Sequence, residues 1–230
     1  QGVDAILLQA TSTTALEPVV EEAVEAGIVV IVVDLIMDGT APTCQIAPDQ
    51  KKWGKETAEW LIEELGGEGN IVALNGMAGS SSNDDRWDRG AKPVFDANPG
   101  IKVLADAYAD WDQAIAQAII PTWLAAYPVI DGVWSQGGAM TVAAIEEFKK
   151  AGRPLVPMTG EAYNGFLKLW LENRDDGFDS ICPVIPNYDI QIGIEVALRV
   201  LRGQPYPEFI DVDVPWVTAE TLEDTIVPDK

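Results

Sequence analysis

Apolar and polar positions alternate along this chain in blocks that switch repeatedly between strand-like and helix-like spacing. The run from Ile130 to Met140, IDGVWSQGGAM, shows the unit. Ile130, Val133 and Trp134 form an apolar stretch that stops at Ser135-Gln136-Gly137-Gly138. Ala139, Met140, Val142, Ala143, Ile145 and Phe148 then follow at helical spacing. This predicts a strand, a tight polar turn and a helix.

The same unit recurs. Val3 to Leu8 reads as a strand after Gly2, and the Thr11-Ser12-Thr13-Thr14 cluster offers N-caps for a helix reaching Gly27. Ile28 to Val33 is a continuous β-branched strand, as expected for burial on both faces, and stops at Asp34. Leu35 to Thr43 reads as a loop broken by Gly39 and Pro42. Cys44 to Ala47 is a short strand, and Asp49 heads a helix to Leu65 closed by Gly66-Gly67. Strands are predicted over Asn70–Leu74, Ile101–Ala105, Pro154–Met158, Ser180–Val184 and Phe209–Val214. Helices are predicted through Arg86–Phe95, from the Asp112 cap to Ala126, from Asn164 to Leu171, from Pro186–Asp189 to Leu201, and over Thr218–Asp224. Strands alternating with helices imply βαβ units and a mostly parallel α/β sheet. In such sheets ligands bind beyond the carboxyl ends of strands, where the Gly-, Ser- and Asn-rich turns fall.

Composition narrows the chemistry. The chain has 230 residues and is 47% hydrophobic, enough for one large domain or two small ones. No apolar run approaches the roughly 20 residues of a membrane span, so no direct membrane insertion is expected. No signal peptide is visible and the chain opens at Gln1 rather than Met, which suggests a processed or partial chain. There are 37 Asp and Glu against 15 Lys and Arg, a net charge of -22. That field repels phosphate backbones and anionic lipids, so no nucleic-acid partner is expected. No histidine is present, which excludes a Ser-His-Asp triad, a Cys-His dyad and HExxH zinc chemistry within this chain. Cys44 and Cys182 fit no metal-ligand spacing and read as two buried free thiols. No cofactor is implied. Eight tryptophans are many for this length, and flat indoles suit the C–H faces of sugars.

Several turn residues are candidates for binding. Asp34 ends a buried strand, as a turn carboxylate or as an acceptor for two ligand hydroxyls. Asn83, Asp84 and Arg86 follow a Gly-Ser turn at a helix start. No phosphate-loop motif is present, and Asp84-Asp85 would repel an anion. A neutral polyhydroxyl ligand fits better, with Arg86 donating a fork of hydrogen bonds or, alternatively, forming a surface ion pair. Trp111, between Asp110 and Asp112, is either a sugar platform or a lid on the core. Gln136 can donate and accept at once, and Gly137-Gly138 would let a ligand approach the backbone. Glu161 and Asn164 repeat the theme one strand later. Paired carboxylates among Asp34, Asp112 and Glu161 leave glycoside hydrolysis as a minor reading, although no spacing selects a pair.

These pieces, in order, resemble a known family. Gly2-Val3-Asp4-Ala5-Ile6 to Asp34, Asn75-Gly76-Met77-Ala78-Gly79, Ala109-Asp110-Trp111-Asp112, Trp134-Ser135-Gln136-Gly137-Gly138 and Gly160-Glu161 are similar to the type I periplasmic binding proteins. The likeness is to the ribose-binding-protein-like solute receptors of sugar ABC transporters, and it covers essentially the whole chain. It implies two Rossmann-like lobes with parallel sheets: residues 1–48 and 186–213, and residues 49–185 and 214–230. A monosaccharide or polyol would sit in the cleft between them, without catalysis, and pass to an ABC permease outside the bacterial cytoplasm, in the periplasm or its equivalent. The resemblance carries the family's site onto Gln9, Asp34, Asn83, Asp84, Arg86, Trp111, Gln136 or its neighbour Gly137, and Glu161. It departs at Leu35, where the family has a charged donor, and at Arg86–Gly90, which holds one extra residue. The family also begins about two βα units earlier. The N-terminal lobe is therefore expected to be incomplete, with an exposed edge and apolar face prone to pairing. The effector-binding core of a LacI-type repressor shares the fold and is the alternative.

Overall fold

The computed structural model describes residues 2–39, 41–185 and 188–227. In chain order these form β1 (Ala5–Leu8), α1 (Glu17–Glu25), β2 (Val29–Val33), β3 (Cys44–Ala47), α2 (Gln50–Glu64) and β4 (Gly69–Asn75). Next come α3 (Ser81–Asp84), a π-helical turn Asp85–Ala91, α4 (Lys92–Ala97), β5 (Ile101–Tyr108), α5 (Gln113–Ala126), β6 (Gly132–Ser135) and α6 (Gly138–Lys150). The chain ends with α7 (Asn164–Asn173), β7 (Cys182–Pro183), α8 (Tyr188–Leu201), β8 (Phe209–Asp211), β9 (Trp216–Val217) and α9 (Leu222–Thr225). No helix among the described residues is long and apolar enough to cross a membrane.

The chain divides into two compact units. One holds Gln1–Gln50, Gly79–Asp84 and Pro186–Val214; the other holds Lys51–Ala78, Asp85–Ile185 and Pro215–Lys230.

The first unit is built on a parallel sheet in the order β1-β2-β3-β8. Every residue of β2 is buried, because helices cover both faces. Val30 and Val32 pack with Val20 of α1 and with Met37. Val29, Ile31 and Val33 point the other way, onto Val196 and Ala197 of α8. Gly193 brings α8 close: a Cβ there would meet Leu7, Ile31 and Val33 at 3.2–3.4 Å. The far side of α8 leaves Ile190, Ile194, Leu198 and Leu201 exposed, and Ile6 and Leu7 of edge strand β1 are exposed as well.

The second unit carries a parallel sheet in the order β5-β4-β6 and an antiparallel β7-β9 pair. Alternate residues of β4 feed two cores. Val72 and Leu74 join Met140, Phe148, Phe166 and Trp170. Ile71 and Ala73 join Trp87, Phe95 and Trp134. Trp134 is a core residue, with its ring centroid 5.0 Å from that of Trp87 and its N–H donated to Thr57 Oγ1 at 3.0 Å.

Three local expectations are corrected. The Thr11–Thr14 cluster does not cap α1, which starts at Glu17 with Pro18 in its first turn. Ser12 Oγ instead accepts from the N–H groups of Thr14 and Ala15, forming a side-chain turn ahead of the helix. Pro154–Met158 is not a regular strand. Pro154 and Pro157 have no N–H for a ladder, and only Met158 bridges to Val133. Helix α9 starts at Leu222, after a turn in which Thr221 Oγ1 accepts from Thr218 N–H. The expected lead into α8 at Pro186 lies outside the described residues.

Candidate functional site

The carboxyl ends of β5, β4 and β6 lie side by side in the second unit, and the turns after them hold most of the candidate residues there. β4 ends on Asn75, whose side-chain oxygen accepts from Gln136 Nε2 at 3.3 Å and whose Nδ2 donates to Asp106 at 3.4 Å. The turn after β5 places Trp111 through an uncommon backbone: Asp110 and Trp111 have φ of 52° and 55°. For a bulky residue this is a strained conformation, and such strain clusters at functional sites. Asp112 then caps α5, accepting from Ile115 N–H at 2.9 Å. Together these fix the indole against Gly76 and Gly137. A Cβ at Gly76 would lie 2.2 Å from the ring, and one at Gly137 would lie 2.8 Å from it.

The turn after β6 is held by its own polar groups. Thr159 Oγ1 accepts from Ser135 N–H at 2.7 Å and donates to Ser135 O at 3.1 Å. Thr141 Oγ1 donates to Thr159 O at 2.8 Å, which ties α6 to the same turn. The Gly137-Gly138 pair serves the protein rather than a ligand. The space beside Gly137 is taken by Trp111, and a Cβ at Gly138 would lie 2.3 Å from Glu161 O. These glycines let the Trp111 and Glu161 segments close on the turn.

Arg86 is the centre of this group. It lies on the π-helical turn, where an inserted residue is absorbed within a helix. That turn coincides with the surplus residue noted at Arg86–Gly90. Its guanidinium donates to Gln136 O and to Glu161 Oε2, both at 3.1 Å. The Trp53 ring centroid stands 3.6 Å from Cζ and that of Trp111 stands 5.9 Å away. The structure thus brings Arg86, Trp111, Gln136 and Glu161 together, with Trp53 and Asn75. The indole nitrogens of Trp53 and Trp111 are buried with no hydrogen-bond partner. Sequence reasoning missed Trp53 because a tryptophan in a helix reads as core. The adjacent Gly54, a glycine inside a helical pattern, was the available sign of a close approach.

The remaining candidates lie in the first unit, in two groups. Asp34, at φ 64°, accepts from Gln9 Nε2 at 2.6 Å and from Gln50 Nε2 at 3.5 Å. Asp189, read from the sequence only as part of the lead into α8, is buried nearby; burial pushes its carboxyl up from its ordinary value and the Asp34 charge adds to this. In the other group Asn83 is buried and donates from Nδ2 to Asp84 Oδ1 at 3.0 Å. Among the described residues no cluster of His, Cys, Asp and Glu can hold a metal ion. Cys44 and Cys182 are free and buried.

Comparison with known proteins agrees with this architecture. The family described as periplasmic binding protein domain matches residues 1–205. A xylitol-binding protein of Mycolicibacterium smegmatis is 34% identical over 213 residues, 89% of this chain and 58% of that protein. A ribose import binding protein of Bacillus subtilis is 26% identical over 89% of this chain and 65% of its own length. The chain therefore spans less than two thirds of either relative. Among solved structures, a periplasmic solute-binding protein of an ABC transporter from Actinobacillus succinogenes, with bound D-allose, superposes with a TM-score of 0.83. It is 28% identical, over 96% of this chain and 80% of that one. The chain belongs to the periplasmic binding protein domain family and has the type I periplasmic binding protein fold.

Proposed function

We propose that this chain is the sugar-binding part of an extracytoplasmic solute receptor. It captures a neutral monosaccharide or polyol without chemical conversion, and the receptor hands that ligand to an ABC import permease. The observation that carries this reading is the Arg86 guanidinium stacked on Trp53, with the Trp111 ring centroid 5.9 Å from Cζ, and bonded to Glu161. A sugar needs donors and acceptors within reach of one another and an aromatic face for its C–H groups. Arg86 supplies donors, Glu161 acceptors and Trp111 the face. Gln136 and Asn75 stand beside them, and the Gln9–Asp34 pair in the first unit offers the same mixture. Glu161 compensates the charge of Arg86, so a carboxylate or phosphate ligand gains little there. The relatives support the ligand class, being named for xylitol and ribose.

Hydrogen bonds to charged groups are worth roughly 1.5–3 kcal/mol each, so a few of them reach micromolar affinity after ordering costs. Division into lobes at residues 48/49, 185/186 and 213/214 belongs to the same proposal, as does the part played by Asn83 and Asp84. Mass spectrometry of small molecules released on denaturing the purified protein tests the ligand class. A pentose, hexose or polyol in near-stoichiometric amount supports it; a stoichiometric nucleotide, amino acid or organic acid contradicts it.

A further inference from the structure

A buried arginine aims its hydrogen bonds only as well as its guanidinium plane is held. On one side Arg86 bonds Gln136 O and Glu161. Across its face lies Trp53, 3% exposed, with the ring centroid 3.6 Å from Cζ, in direct stacking contact. Two glycines make that contact possible. A Cβ at Gly54 would lie 2.0 Å from Arg86 O, and one at Gly90 would lie 2.8 Å from Lys51 O and 3.1 Å from Gly54 Cα. The first turns of α2 and the π-helical turn therefore touch backbone to backbone. At that separation the indole of residue 53 reaches over the guanidinium of residue 86. The Trp53 N–H is buried and lacks a hydrogen-bond partner, so the ring is held by its face and not by its polar edge.

From this we infer that Trp53 is a positioning residue: its π face clamps the Arg86 guanidinium in one plane before ligand arrives. The consequence for affinity rests on the sugar-binding reading above, whereas the clamp is a property of the ligand-free protein. A fixed fork loses less freedom on binding than a mobile one, so removing the clamp weakens binding even though Trp53 donates no bond.

The test compares Trp53→Phe, which keeps an aromatic face, with Trp53→Leu, which keeps only apolar volume. Side-chain NMR of arginine-labelled, ligand-free protein reads rotation about the Arg86 Nε–Cζ bond, with Arg86→Lys identifying the signal. Slow rotation is expected in the wild type and in Trp53→Phe, and fast rotation in Trp53→Leu. In titrations with xylitol and D-ribose, Trp53→Leu weakens binding about tenfold, while Trp53→Phe stays within about threefold. Fast rotation in the wild type overturns the inference by itself, whether or not the Leu variant folds. So does slow rotation in a folded Trp53→Leu, or equal loss of affinity in the Phe and Leu variants. If the wild type takes up neither sugar, the ligand reading is at fault and the NMR comparison still decides the clamp.

Discussion

The Arg86 guanidinium meets the Glu161 carboxylate at 3.1 Å, yet the two side chains differ sharply in exposure, 3% for Arg86 and 30% for Glu161. Breaking the pair is therefore asymmetric. Removing Glu161 leaves a cation in a buried place; removing Arg86 leaves an anion that water already reaches. Glu161→Ala is expected to cost about 2–3 kcal/mol and Arg86→Met about 1–2 kcal/mol, discounted from the fully buried case for solvent at Glu161. Urea denaturation measures both. A larger cost for Arg86→Met would show that its stacking, and not its charge, dominates.

Gly76 is a second point of leverage. Its hypothetical Cβ lies 2.2 Å from the Trp111 ring, and Trp111 is already committed to φ 55°. The ring has no relaxed place to go. Gly76→Ala should destabilise by about 1–3 kcal/mol through overpacking and weaken sugar binding by displacing the indole. A thermal melt paired with a titration checks this. An unchanged melting temperature with intact binding would mean that the turn yields freely.

Asp189 gives a pH dependence of definite sign. Burial, its main cause, raises its folded-state carboxyl; the Asp34 charge adds, and the Ile190 N–H bond opposes. The folded chain thus holds this proton to higher pH than the unfolded chain. Its contribution to stability is most favourable below the ordinary carboxylate range and is lost as pH rises through the folded value. Asp189→Asn should raise the urea midpoint at pH 7 and lose that advantage toward acid. A midpoint that falls at pH 7 would show that the carboxylate is net stabilising at the head of α8.

The thiols should be inert in the folded protein. Cys44 and Cys182 are buried, and burial raises both, with the Glu161 charge adding at Cys182. Little thiolate exists at neutral pH and little of it is accessible. Ellman's reagent should find almost no reactive thiol until denaturant is added, and then two. Rapid labelling of a native thiol would indicate local opening.

Much of this was legible in the sequence for identifiable reasons. The β-branched run ending at Val33 reads as a doubly covered strand because few other environments tolerate five apolar neighbours. Asp112 reads as a cap because its carboxylate precedes an apolar helical pattern, and it caps as expected. Other features were hidden because they depend on distant partners. Periodicity cannot distinguish a helical tryptophan facing the core from Trp53 facing a guanidinium. Pro154–Met158 is a different case: its prolines were in plain view, and their missing N–H groups limit the run to the single bridge between Met158 and Val133. The surplus residue at Arg86–Gly90 was visible against the family pattern, but its form as a π-helical turn was not. Gly137 and Gly138 looked like room for a ligand, whereas the room is filled by Trp111 and the Glu161 segment.

The Arg86–Trp111–Glu161 group is proposed to bind a neutral polyhydroxyl ligand. Isothermal titration of the folded wild-type protein with a panel of pentoses, hexoses and polyols, xylitol and D-ribose among them, tests it most directly, with Trp111→Ala in parallel. Saturable heat is expected with at least one neutral member at micromolar affinity or better. No comparable heat is expected with sugar phosphates or uronic acids, and Trp111→Ala should lose at least about tenfold in affinity. No heat with any neutral member in a demonstrably folded sample, or undiminished binding by Trp111→Ala, would contradict it.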